Sequence, residues 1–263
     1  MLDTYKPNAG IKKAATVLID LSVIRHAVLS QETWVEKTIR WANRDVVTRI
    51  AGWKPKTPPT GLWLRQQIGC LPTICRLARE GAIVLYTYSE LEFEEWQGRR
   101  GMQGTFGDLF SGIRIRKCPA AVNRLRFRRN VDFQYYLKRE EVIDFCRFLL
   151  KLDPLVLRQA HEVWSTLPAF EQETLLHLQQ FKSLCRHLPE KHYPDAFHLW
   201  TAEANRLDYF LMLDRKFPNA LKGKRDLGFR CRPVSPDELL NSMGISERDP
   251  YPYTDSAPRT YSE

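Results

Sequence analysis

Two short apolar runs that each end on an aspartate constrain the fold of this chain more than any other feature. The first run ends at Asp20 and the second at Asp214, and neither alternates between apolar and polar residues. Such runs are typical of strands that are buried on both faces. Residues 82–86 form a third run of the same character. The sequence therefore predicts several buried strands of a parallel sheet.

Helical patterns fill most of the chain between these strands. Residues 62–80 predict a helix that is interrupted at Pro72 and followed by a C-terminal glycine, Gly81. Ser22 predicts the N-cap of a helix after the first strand. Further helices are predicted over residues 31–50, 89–96, 138–150, 154–187, 195–205 and 236–243. Strands that alternate with helices favour an α/β fold in which helices cover both faces of a parallel sheet.

The composition limits the class of protein. The chain has 263 residues, of which 43% are hydrophobic, enough for one large α/β domain or for a core with a helical insertion. Its net charge of +9 suggests a polyanionic partner, although many proteins of this charge bind none. The six cysteines have no metal-binding spacing and predict reduced, buried side chains. Without a membrane-length apolar run or a signal peptide, the chain is predicted to be cytoplasmic.

Four acids from distant parts of the chain are candidates for one site. Asp20 and Asp214 follow strands, and ligands of parallel sheets bind beyond the carboxyl ends of the strands. Asp195 opens a helix, and Glu94 lies early in the helix after the second strand. Clustered carboxylates repel one another and need a cation, for which Mg²⁺ or Mn²⁺ is suited. Each acid alone also has a structural explanation: it could cap a helix, it could lie where a helix dipole favours a negative charge, or it could belong to a solvent-exposed face.

Several segments resemble, in the same order, the motifs of PIN-domain ribonucleases. VLIDLSVI contains Asp20 and Ser22, and IVLYTYSELEFEEW ends close to Glu94. Residues 195–217 resemble the third and fourth acidic motifs, and VSPDELLNSMGI resembles the closing strand and helix. Residues 100–190 lie outside a minimal PIN core. The chain is therefore expected to form one domain over residues 1–245 with an insertion at about 100–190, followed by a flexible tail over residues 246–263.

This resemblance implies a Rossmann-like α/β/α sandwich with a metal site formed by Asp20, Glu94, Asp195 and Asp214. The implied activity is Mg²⁺- or Mn²⁺-dependent hydrolysis of single-stranded or looped RNA. A toxin or defence role, a homodimer and an inhibitor protein are further implications of toxin-type members. The residues expected around the acids are Ser22, Glu90 and His198. Glu90 also remains an alternative to Glu94, and a packing role for His198 is the alternative to a role beside the metal.

A basic segment predicts the RNA-binding surface. Residues 114–129 contain no acid and are followed by the aromatic residues Phe133, Tyr135 and Tyr136. Cations that track phosphates beside rings that stack on bases favour single-stranded RNA. A solvated basic surface or an inhibitor-binding patch is the alternative, and the alternation over residues 113–116 also suits an edge strand. The basic residues are Arg114, Arg116, Lys117, Arg124, Arg126, Arg128 and Arg129.

Two other functions stay open at the level of sequence. Met212 stands where many PIN domains have Thr or Ser, which would fit a catalytically inactive nucleic-acid-binding module. Asp20 after the first strand would also suit a phosphatase or phospho-acceptor nucleophile. Such phosphatases usually have a second Asp two positions later, where this chain has Ser22.

Overall fold

A five-stranded, all-parallel sheet forms the centre of the molecule, as the apolar runs predict. The computed structural model describes residues 13–98, 108–128, 132–222, 228–252 and 259–260. The strands are β1 (Ala15–Ile19), β2 (Ser30–Trp41), β3 (Arg44–Pro55), β4 (Ile83–Thr87), β5 (Arg116–Lys117), β6 (Tyr209–Leu211), β7 (Arg232–Val234) and β8 (Arg259–Thr260). The central sheet has the order β5-β4-β1-β6-β7, so the first strand lies in the middle.

The central position of β1 explains its unbroken apolar character. Leu18 lies opposite Tyr86 of β4 on one side and opposite Phe210 of β6 on the other. Val17, Leu18 and Ile19 are completely buried because helices cover both faces of the sheet. Since all five strands run in the same direction, the residues after β1, β4 and β6 lie at the same edge of the sheet.

Helices cover both faces of the central sheet. The helices are α1 (Leu21–Ala27), α2 (Leu62–Gly69), α3 (Leu71–Arg79), α4 (Ser89–Gly98), α5 (Arg124–Phe127), α6 (Phe133–Tyr136), α7 (Arg139–Lys151), α8 (Pro154–Gln159), α9 (His161–Trp164), α10 (Ala169–Leu176), α11 (Leu178–Cys185), α12 (Tyr193–Ala204), α13 (Lys216–Leu221) and α14 (Pro236–Ser242). One core lies beneath α1, α2, α3 and α14, and the other beneath α4, α7, α11 and α12. This arrangement is an α/β/α sandwich with a parallel sheet, as expected.

The prediction of a helix over residues 31–50 is wrong, because this segment forms the antiparallel hairpin β2–β3. Trp41 pairs with Arg44, so the loop contains only Ala42 and Asn43. These two residues have φ values of 45° and 64°, the left-handed conformation that a two-residue hairpin turn of type I′ requires. β8 pairs with β3 only at Gly52 and Trp53. Most of the hairpin therefore has two strands.

Two helix boundaries also differ from the predictions. Asp20, and not Ser22, is the N-cap of α1, because its carboxylate accepts a hydrogen bond from the backbone N–H of Ser22. The helix predicted over residues 154–187 is divided into four helices, α8 to α11, and His177 separates the last two. The predicted insertion contains helices α5 to α11, and two of them, α7 and α11, pack into the core that α12 also covers.

The described part of the tail contacts the body of the protein. Arg248 forms an ion pair with Asp237 of α14, and Asp249 forms one with Arg76 of α3. All six cysteines are free thiols, and all but Cys118 are buried. In the described part of the chain, no helix has both the length and the apolar character needed to cross a bilayer.

Candidate functional site

The predicted acids Asp20 and Asp214 lie where β1 and β6, two neighbouring strands, end. Asp20 directly follows β1, and its Oδ2 atom accepts a hydrogen bond of 2.9 Å from the N–H of Ser22. Asp214 follows β6, and its Oδ1 atom accepts one of 2.8 Å from the N–H of Lys216. Asp20 thus uses one oxygen to cap α1, and Asp214 uses one oxygen to accept a hydrogen bond from the first residue of α13, whose N-cap is Arg215.

Ser22 connects the ends of β1 and β6. Its hydroxyl donates a short hydrogen bond to Oδ2 of Asp20 and accepts one of 3.1 Å from the N–H of Leu213. Met212 is only 1% exposed and packs in the core on the α12 side of the sheet. Ser22 therefore makes a polar contact beside Asp20 that does not depend on the residue at position 212.

Glu94 reaches the site from α4 and is held by a buried histidine. Nε2 of His198 lies 3.1 Å from Oε1 of Glu94, and Nδ1 of His198 lies 2.5 Å from the hydroxyl of Tyr88. His198 is 1% exposed. The guanidinium of Arg25 donates a weaker hydrogen bond of 3.5 Å to the backbone carbonyl of Glu94. His198, which was predicted to lie near the acids, thus orients Glu94. It belongs to α12, the helix that also carries Asp195.

Asp195 lies in the first turn of α12, where the helix dipole favours a negative charge. Nδ1 of His192 lies 3.1 Å from Oδ2 of Asp195, and the guanidinium of Arg139 lies 3.6 Å from the same oxygen. His192, Asp195 and Asp214 each present a ligand atom, and these atoms all lie within 4.8 Å of one another. Two ligands on opposite sides of a Mg²⁺ ion are about 4.2 Å apart, so this trio is close to the size of a coordination shell.

All four acids share one feature that is relevant to metal binding. Each uses one carboxylate oxygen in the contacts above, and no described residue donates a hydrogen bond to its second oxygen. Ionised carboxylates can accept several hydrogen bonds or coordinate cations through both oxygens. The site therefore offers four carboxylate oxygens, from Asp20, Glu94, Asp195 and Asp214, to which no residue in the described part of the chain donates a hydrogen bond.

The electrostatics indicate that Asp20, Glu94 and Asp195 interact with His198. Burial raises the pKa of Asp20, and Glu94 raises it further, while His198 and Ser22 oppose the increase. Burial alone would raise the pKa of Glu94, but His198, Arg139 and Arg25 lower it overall. Burial would lower the pKa of His198, yet Glu94, Asp20 and Asp195 together raise it. Carboxylates in one such cluster are more easily ionised when a cation is bound among them.

The alternative second acid, Glu90, belongs to a different network. It is buried and accepts two hydrogen bonds, of 2.6 and 3.0 Å, from Arg124. Arg124 also forms an ion pair with the buried Glu141, and its guanidinium stacks on Tyr136 at 3.6 Å. The position of Glu90 inside this ion-pair network excludes it from the acid cluster around Glu94.

Only some residues of the predicted basic surface are exposed to solvent. Arg124 is 1% exposed, so its prediction as a nucleic-acid contact is wrong: its charge neutralises Glu90 and Glu141 in the core. Arg126 pairs with Glu171, and Arg128 lies against Glu141. Arg129 lies outside the described residues. The exposed cations in the described part of the segment are Arg114, Arg116, Lys117 and Arg126, of which Lys117 pairs with Glu92 and Arg126 with Glu171.

Sequence reasoning missed three residues of the site. His192, Tyr88 and Arg139 contact the acids or His198 directly. His192 had a detectable signal, because it precedes Asp195 by three residues and such pairs share one side of a helix. Arg139 comes from the insertion, far from any motif, and its contact with Asp195 depends on how α7 packs on α12.

No family model, curated protein or solved structure matches this chain. The resemblance to PIN domains therefore stays a prediction from short motifs. Any functional proposal for this chain depends on that resemblance and on the geometry of its acids.

Proposed function

We propose that this chain is a metal-dependent ribonuclease whose site consists of Asp20, Glu94, Asp195 and Asp214. The observation that carries the proposal is the pair of links among these acids: Asp195 and Asp214 lie with His192 within 4.8 Å, and Asp20, Glu94 and Asp195 all act on His198. Each acid also retains an oxygen that no described residue bonds. Such a cluster has little structural benefit on its own, because like charges repel at close range. Binding of divalent cations would relieve that repulsion.

The donor atoms suit a hard divalent cation. Asp195 and Asp214 offer oxygens, and His192 offers an imidazole nitrogen in the same small space. An imidazole ligand favours Mn²⁺ over Mg²⁺, whereas the carboxylates accept either ion. Asp20, which follows β1, and Glu94 of α4 are assigned to the same site because both interact with His198. When bound, such an ion would lower the pKa of a coordinated water and stabilise charge on a phosphodiester.

The residues of the chain have separate tasks in this proposal. The four acids hold the cation, and Ser22 and His198 fix the orientation of Asp20 and Glu94. Arg139 and Arg25 lie beside the acids and would attract the phosphates of a substrate. Neither arginine is buried, so both side chains can move toward an anion.

RNA is the proposed substrate on two grounds. The first is the resemblance of the four motifs to PIN domains. The second is the short segment before Arg139, where Phe133 and Tyr135 are exposed on α6. Exposed rings near cations stack on unpaired bases, so this segment favours a single strand over a duplex.

The test is cleavage of labelled single-stranded RNA by the wild-type chain and by Asp195→Asn and Asp214→Asn. Each reaction is run with Mg²⁺, with Mn²⁺ and with a chelator, and binding is measured separately by fluorescence anisotropy. We expect metal-dependent cleavage by the wild type and a loss of about 100-fold or more in either variant, with RNA binding retained.

Asp153→Asn is the matched control, because Asp153 is an exposed acid that caps α8. This control should cut RNA at the wild-type rate. Equal cleavage by Asp195→Asn and Asp153→Asn would contradict the proposed site. Binding of RNA without cleavage of any RNA or DNA, under every metal condition, would instead indicate a catalytically inactive module.

A further inference from the structure

The β2–β3 hairpin exposes several large apolar side chains. Trp34 and Trp41 are 69% and 71% exposed, and Ile39, Val46 and Val47 are also exposed. A two-stranded hairpin is marginally stable in water unless further strands or a packed face support it. In the described part of the chain, β8 supports β3 only near the base, and no strand pairs with the outer edge of β2.

The pairing register shows which backbone groups face that outer edge. Trp41 and Arg44 flank a two-residue turn, so they form a hydrogen-bonded pair, and such pairs recur at every second residue. The odd-numbered residues of β2 therefore bond to β3. The even-numbered residues Trp34, Glu36, Thr38 and Arg40 direct their N–H and C=O groups outward, away from β3.

We propose that the outer edge of β2 pairs with β2 of a second copy of this chain, in an antiparallel register centred on Thr38. In this register Glu36 lies opposite Arg40 of the partner subunit, and the symmetry of the pair forms the same contact twice. Thr38 lies opposite the partner's Thr38. The outward amides of both strands then form a continuous ladder of hydrogen bonds.

The charges on β3 extend this complementarity. Within one copy, Glu36 forms an ion pair of 3.2 Å with Arg49, and Arg40 lies opposite Asp45. Across the proposed interface these residues form one row that alternates in sign, from Arg49 to Glu36, then to the partner's Arg40 and the partner's Asp45. Opposite charges on adjacent strands stabilise a sheet, and like charges destabilise it.

Registers that are shifted toward the base of the hairpin are disfavoured by the same rule. Moving the centre by one residue toward the base places Lys37 opposite the partner's Lys37. Moving it by two residues places Glu36 opposite the partner's Glu36. Both arrangements bring like charges together on one face of the sheet.

The other face of the hairpin also favours a second copy over RNA. Val35 would lie opposite the partner's Trp41, and Ile50 adjoins Val35 within the same copy. The apolar side chains of the two hairpins would thus form one continuous surface on a four-stranded sheet. Most of them are aliphatic and β-branched, and such side chains contribute little to stacking on bases.

The test uses charge reversal at the two ends of the proposed contact, in the full-length chain, by sedimentation velocity. Glu36→Arg places Arg opposite the partner's Arg40, and Arg40→Glu places Glu opposite the partner's Glu36. We expect the wild type to dimerise at micromolar concentrations. Each variant alone should have a dimer affinity that is lower by about ten-fold or more. An equimolar mixture of the two variants restores both opposite-charge contacts and should form a heterodimer.

Two further variants separate pairing from folding. Thr38→Pro removes an outward N–H and should abolish dimerisation while the β2–β3 ladder stays intact. Lys54→Glu reverses a charge near the base, outside the paired segment, and should leave dimerisation unchanged. A wild-type chain that stays monomeric, or variants that do not associate when mixed, would overturn the proposal. A dimer that Thr38→Pro leaves unaffected would also overturn it. The same holds if Glu36→Arg and Arg40→Glu lose RNA binding while the sedimenting species keeps the same mass.

Discussion

His198 and Glu94 are joined across two helices by a contact of 3.1 Å between Nε2 and Oε1. An ionised Glu94 can only accept a hydrogen bond, so Nε2 of His198 must carry the proton. Nδ1 is then the atom that meets the hydroxyl of Tyr88, at 2.5 Å. The chain from Tyr88 through His198 to Glu94 therefore fixes one orientation of a carboxylate that would otherwise rotate.

The first prediction concerns this chain of contacts and assumes the proposed metal site. We expect His198→Ala to weaken Mn²⁺ binding by about 10- to 100-fold, the usual effect of losing a residue that orients a ligand. His198→Gln retains an N–H donor and should lose less affinity. Titration calorimetry with Mn²⁺ measures both variants, and thermal melts verify that they are folded. Wild-type Mn²⁺ affinity in a folded His198→Ala protein would show that the histidine only packs.

The second prediction concerns Arg124, which is buried between Glu90 and Glu141. Arg124→Met leaves the buried Glu90 without its cation and leaves Glu141 with Arg128 alone, and we expect a loss of about 3–5 kcal/mol in the free energy of unfolding. Arg116→Met is the matched control from the same basic segment. Because Arg116 is exposed, its substitution should change stability by about 0.5 kcal/mol or less. Urea unfolding measures both.

A compensating variant makes the prediction for Arg124 more specific. Replacing Glu90 and Glu141 by Gln together with Arg124→Met removes the unpaired charges and should recover part of the lost stability. No recovery in this triple variant would indicate that Arg124 stabilises the core by packing against Tyr136 instead of by its charge.

The contrast between Arg124 and Arg116 shows what sequence reasoning could predict here. The apolar runs before Asp20 and Asp214 predicted their strands correctly, because burial on both faces leaves an unbroken apolar signature. A charged residue has no comparable sequence pattern that indicates whether it is buried or exposed. Arg124 and Arg116 are identical in sequence terms, and only the packing of α5 and α7 places one of them between two acids.

The hairpin shows a second limit. Val35 and Ile39 are four residues apart, which fits a helix, and the turn at Ala42 and Asn43 lacks the glycine that usually marks a tight hairpin. The many β-branched residues between Thr33 and Thr48 were the signal for strands. The pattern was ambiguous because both faces of the hairpin are exposed, so neither face had to be uniformly apolar.

The third prediction concerns acid stability and Asp208. Its Oδ2 atom accepts hydrogen bonds of 2.9 and 2.7 Å from the backbone and hydroxyl of Thr16, which join the starts of β6 and β1. Burial would raise the pKa of Asp208, but the contacts with Thr16 and nearby cations lower it below its ordinary value of 3.8. A lowered folded-state pKa means that stabilisation is present above pH 3.8 and is lost as the pH falls through the folded-state value.

We therefore expect Asp208→Asn to cost about 1–3 kcal/mol at neutral pH, because hydrogen bonds to charged groups are stronger than neutral ones. The difference from the wild type should shrink as the pH falls below 3.8. Urea unfolding at a series of pH values measures it. Asp153→Asn is the control, since Asp153 only caps the exposed helix α8. A difference that stays constant down to the lowest pH would contradict the role of the Asp208 charge.

The fourth prediction concerns the turn of the hairpin. Ala42 and Asn43 both adopt left-handed backbone conformations, which cost an alanine about 1–2 kcal/mol. Replacing them with Asn and Gly, the preferred pair for a type I′ turn, should stabilise the hairpin by about 1 kcal/mol. Amide hydrogen exchange at the odd-numbered residues of β2 should then slow by about five-fold. Ala42→Val should have the opposite effect, since a β-branched residue tolerates this conformation least. Equal exchange rates in the wild type and both variants would mean that the turn does not limit the opening of the hairpin, and that its stability depends on contacts along β2 instead.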